Sequence, residues 1–135
     1  MLPMARSRST RRLVVGDDTY LWSVGHTHDG GKQPDYSTCR ELLSLRLEGS
    51  RGRLQLVFRQ PWYPPGPAST VGDRDRGWLN LHEPGVVRAF LDAALAQGWQ
   101  PGAKSGQEID GWTLFPEALR ARRAQSDGGV GTPAS

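Results

Sequence analysis

From Arg12 onward the pattern of apolar and polar positions becomes strand-like. Leu13 to Val15 form a short apolar run, and Asp17-Asp18 after it signals a turn. Tyr20, Trp22 and Val24 then alternate with Leu21, Ser23 and Gly25, a period of two that predicts a strand. His26 and His28 continue the Tyr20 face if that strand runs on. Asp29, Gly30, Gly31, Pro34 and Asp35 predict a loop over 29–38. Leu43, Leu45 and Leu47 alternate with polar residues, as do Leu54, Leu56 and Phe58. The Gly49–Gly52 turn between the two runs predicts an antiparallel hairpin. A helix over 40–48 is the competing reading, but apolar positions 42, 43, 45 and 47 fit a period of two better.

The pattern then breaks. Residues 60–77 are rich in Pro and Gly and carry Asp73-Arg74-Asp75-Arg76, which predicts a long irregular loop. Trp78 to Leu81 reads as a short strand. Pro84 suits a first helical turn, because its missing N–H costs nothing there. Val87, Phe90, Leu91, Ala94 and Leu95 follow at helical spacing, and Gly98 supplies the stop. Asp110-Gly111 reads as a tight turn into a last strand, Trp112 to Phe115. Pro116 opens a short closing helix that frays by Arg123.

These elements predict an α+β domain over 12–123 in the order β-β-β-β-α-β. An antiparallel sheet of four or five strands would carry one main helix on one face. Residues 1–11 and 124–135 read as disordered tails, the first of them basic.

With 135 residues the chain suits one domain. A single cysteine, Cys39, excludes an internal disulfide and suggests a reducing, cytoplasmic setting. No stretch approaches the roughly 20 apolar residues of a membrane helix. The net charge is +3 overall but −2 over residues 13–115. The basic character belongs to the ends, so nucleic acid is not the expected partner of the folded body.

The strand Tyr20-x-Trp22-x-Val24 and the segment Pro84-x-Val86-Val87…Leu91-x-x-Ala94-x-x-x-Gly98-Trp99-x-Pro101 resemble small uncharacterised bacterial proteins. Those proteins combine a strand meander with one helix ending in Gly-Trp. The resemblance covers residues 13–115 and rests on structural positions. It implies the fold and carries over no activity, cofactor or catalytic residue.

Chemistry is most concentrated at His26-Thr27-His28-Asp29. Two histidines two apart on a strand project to one side, and neutral imidazoles so placed suit zinc. His82, Glu83 or Cys39 would supply a third ligand. Asp17 and Asp18 with Asp29 are the corresponding set for a hard cation. Cys39 beside a histidine is the only nucleophile arrangement available, and a lone cysteine in a strand is more commonly a small buried hydrophobe. The Arg6–Arg12 stretch suits nonspecific phosphate binding. Trp62, Tyr63 and Trp78, with Asp73, Arg74, Asp75 and Arg76, mark a binding patch at the long loop. No catalytic constellation and no cofactor motif is evident. The expected function is therefore a non-enzymatic binding module for a protein partner. A metal-dependent enzyme using His26 and His28 and a nucleic-acid accessory acting through the N-terminal arginines are the alternatives.

Overall fold

The computed structural model describes residues 9–60 and 69–131. Strands β1 (Arg11–Val15), β2 (Asp18–Asp29), β3 (Asp35–Leu47) and β4 (Arg53–Arg59) form an antiparallel meander. Strand β7 (Gln107–Asp110) joins it beside β4 in parallel, giving a five-stranded sheet in the order β1-β2-β3-β4-β7. Strands β5 (Thr70–Asp73) and β6 (Gly77–Asn80) make a separate hairpin. The described residues also form two α-helices, α1 (Pro84–Ala96) and α2 (Phe115–Gly131).

The period-two pattern divides the sheet into two unlike faces. Tyr20, Trp22, Leu43, Leu45, Leu54, Leu56 and Phe58 point to one side and are buried with the apolar stripe of α1. Phe58 lies edge-on to Phe90 at 5.2 Å between ring centres, which joins sheet to helix. Phe115 and Ala118 bring α2 into the same core, with Leu114 just before it. Helix α1 begins at Pro84 as its missing N–H favours. It ends at Ala96, and Gly98 just beyond has a φ of 107°, open to glycine and strained for other residues. Leu42 and Val57 face the other way and are buried without joining that core.

Several expectations need correction. The loop before β3 is shorter than 29–38, because β2 runs to Asp29 and β3 starts at Asp35. The stretch 60–77 is not wholly irregular, since Thr70–Asp73 pairs with Gly77–Asn80. Trp112 to Phe115 is not a strand. Asp110 Oδ1 accepts from the Trp112 N–H at 3.0 Å and the Asp110 carbonyl accepts from Thr113 Oγ1 at 2.7 Å, which closes a 3₁₀ turn over Gly111–Thr113. The strand is instead Gln107–Asp110. Among the described residues the element order is thus six strands, a helix, a strand and a second helix. That second helix continues to Gly131, past Arg123 where it was expected to fray. No helix among the described residues is long and apolar enough to cross a membrane.

Candidate functional site

Three groups of chemically capable side chains lie on this frame. The first ends the helix-covered face of the sheet. His26 is paired across the ladder with Glu41, and its Nδ1 meets Glu41 Oε2 in a short contact. Glu41 is 3% exposed, and its Oε1 is buried without a partner among the described residues. His28, two residues on, has its ring 5.8 Å from that of His26 and 5.8 Å from that of Tyr36. The period of two therefore brings the two histidines together as expected. Glu41 was missed because its neighbours Leu42, Leu43 and Leu45 mark the strand as structural; only its alignment opposite His26 gives it a role.

The remaining proposed ligands do not join this pair. His82 stands at the entrance of α1, where its Nε2 lies 3.1 Å from Ser69 Oγ. Glu83 accepts from Arg122 at 2.9 Å. Cys39 is buried in β3. Asp17 and Asp18 lie near one end of β2 and Asp29 at the other, about 36 Å away at ~3.3 Å per residue, so they cannot share a cation. Asp29 is engaged by Arg40 at 3.1 Å. Among the described residues, no three His, Cys, Asp or Glu side chains are arranged to hold a metal ion.

The second group is the β5–β6 turn. Asp73 Oδ1 accepts from the Arg76 N–H at 2.7 Å, and Oδ2 from Arg76 Nε at 2.8 Å. The backbone donor, followed by the guanidinium, holds the Asp73 carboxyl below its usual range. Arg76 then lies over the rings of Trp112 at 4.5 Å and Phe115 at 4.9 Å. Its carbonyl accepts from Arg123 Nη2 at 2.7 Å. The turn is thereby fastened to α2. Between them runs a groove of about 580 Å³ with Phe115, Pro116 and Leu119 along it and Asp75, Arg76 and Arg120 among its charged residues. Trp78 is 54% exposed on the neighbouring strand, while Arg74 and Asp75 face solvent. Trp62 and Tyr63 lie outside the described residues, as do the first eight residues of the basic tail.

The third group, which sequence reading did not single out, is on the face turned away from the helices. Two arginine pairs stand directly opposite each other there, Arg40 with Arg59 and Arg46 with Arg53. Each arginine falls on the polar beat of an alternating strand, where a solvated charge is the ordinary expectation. Only the register shows that like charges meet.

No protein-family model matches the chain, and no curated protein or solved structure matches it.

Proposed function

We propose that this chain is a binding module without chemistry of its own, docking a protein partner in the groove between the β5–β6 turn and α2. The groove's mixture of apolar and cationic lining carries this reading. Pro116 and Leu119 offer an apolar floor above the buried Phe115, while Arg76 and Arg120 supply charge and Trp78 stands exposed nearby. Anchors of this kind dominate interface energetics. The complementary surface is an apolar side chain flanked by carboxylates, since guanidinium groups pair best with planar acids.

Partners crosslinked to the full chain in native cells identify candidates for a direct test with purified protein. Arg120→Glu reverses an exposed charge in the groove and is expected to weaken such a partner at least tenfold. Arg51→Glu, in the exposed β3–β4 turn, is expected to change affinity little. Equal affinity for wild type and Arg120→Glu across all partners would remove the groove from consideration.

The contact of His26 with Glu41 favours a second reading, a metal-dependent enzyme at His26 and His28. Histidines that bind metal commonly give their other ring nitrogen to a carboxylate. Stoichiometric metal in protein purified without a histidine tag, lost on His26→Ala, would put this reading in place of the first. Binding of nucleic acid through the N-terminal arginines is the third reading; it requires salt-sensitive binding that disappears when residues 1–11 are deleted.

A further inference from the structure

We infer that the sheet face turned away from the helices holds an oxyanion site at Arg46 and Arg53, suited to the dianionic phosphate group of a small phosphomonoester. Arg46 and Arg53 are direct cross-strand neighbours on β3 and β4. Like charges placed this way destabilise a sheet. The arrangement recurs at Arg40 and Arg59, but there Asp29 pairs with Arg40 at 3.1 Å. No described carboxylate answers Arg46 or Arg53. Arg46 gives one N–H to the Ser50 carbonyl at 3.2 Å. The Arg53 side chain makes no hydrogen bond or ion pair among the described residues. Glu48, two residues beyond Arg46, is taken by Arg12 at 3.3 Å.

Beside this pair lies a recess of about 160 Å³, with Thr10, Ser23 and Ser44 completing its polar lining. Each of these side chains can donate a hydrogen bond, and none is a carboxylate. Ser44 is buried, and its Oγ accepts from Gln55 Nε2 at 3.3 Å. Its own hydroxyl proton is thus left to serve another acceptor. The recess has the room of about five waters, at ~30 Å³ each, which is the scale of one tetrahedral oxyanion. Two guanidiniums match a dianion in charge and offer it forked, charge-assisted hydrogen bonds. A bound dianion also relieves the repulsion between the two arginines.

The test uses the full chain in buffered sodium chloride at about 0.15 M, where loosely held ions are screened. Inorganic phosphate and glycerol 3-phosphate are titrated calorimetrically, alongside a short single-stranded oligonucleotide as a source of phosphodiesters. Saturable one-site binding of the first two is expected, weakened at least tenfold by Arg53→Gln and several-fold by Ser44→Ala. Phosphate is expected to raise the unfolding temperature of wild type and to leave that of Arg53→Gln unmoved. Without phosphate, Arg53→Gln should be at least as stable as wild type, because it removes a repulsion and breaks no bond. That separates a binding role from a structural one. Absence of saturable binding, unchanged binding in Arg53→Gln, or a less stable Arg53→Gln would overturn the site. Binding of the oligonucleotide in preference to both monoesters would overturn the assignment to a phosphomonoester.

Discussion

Glu41 is buried almost completely, and among the described residues its one hydrogen-bonding partner is the partly exposed imidazole of His26. The carboxylate sits on the same sheet face as Leu43 and Leu45, opposite Phe58 on β4. Removing one partner of such a pair costs more than the bond itself, because the other is left buried and unpaired. His26→Ala is therefore expected to destabilise the fold by about 1–3 kcal/mol, the lower half being favoured by water reaching the exposed ring. Adding Glu41→Leu to His26→Ala should recover most of that loss, since an apolar side chain suits the site. Urea denaturation of wild type, the single variant and the double variant measures this. A double variant no more stable than His26→Ala would show that the buried carboxylate is not the source of the cost.

How far the sequence foretold this arrangement depends on what each signal reports. A short apolar run marked β1. Alternation located β2 to β4 because one face of each joins the core shared with α1 and the other does not. Spacing and the Pro84 and Gly98 signals located α1 for the same reason. Signals failed where tertiary contacts decide. Gln107–Asp110 has one apolar residue, Ile109, and becomes a strand by pairing with the edge of β4. Trp112 to Phe115 has the apolar density of a strand, yet Gly111 packs so closely on the Phe58 ring that a Cβ there would clash. That approach, with the Asp110 cap, turns the chain before any strand forms. The His26 and His28 pairing was legible from a period of two. Their link to Glu41 and the meeting of Arg46 with Arg53 both depend on register, which alternation alone does not fix.

Tyr20 provides a test at alkaline pH. Its ring is 4% exposed and tilts against Trp99 at 6.2 Å. Burial, followed by the negative charges of Asp18 and Asp92, raises its phenol above the ordinary value. The folded state thus disfavours the phenolate relative to the unfolded chain. Its stability contribution is complete below the unfolded pKa of about 10 and is lost as pH rises through the folded value. Urea midpoints measured from about pH 8 to 11 should fall at the alkaline end in wild type and fall less steeply in Tyr20→Phe. Identical pH profiles would mean that Tyr20 does not contribute to the alkaline loss.

Arg76 distinguishes a turn that only presents side chains from one that is part of the packing. Its guanidinium joins Asp73 at 2.8 Å and covers Trp112 and Phe115, with the Arg123 bond on its carbonyl. Arg76→Ala leaves both backbone hydrogen bonds intact and removes the planar cation from the rings. The expected loss is about 1 kcal/mol, partly offset by the solvation of an exposed ion pair. Arg76→Lys should recover less than half of it, because an ammonium keeps the charge and loses the stacking plane. Tryptophan fluorescence of the folded variants should shift as water reaches Trp112. The Asp73 carboxyl, followed by NMR, should titrate higher in Arg76→Ala than in wild type but remain below its ordinary range. Its larger support, the Arg76 backbone N–H, is still in place. A carboxyl that returned fully to its ordinary range would mean that the turn itself had come apart, and the groove beside α2 with it.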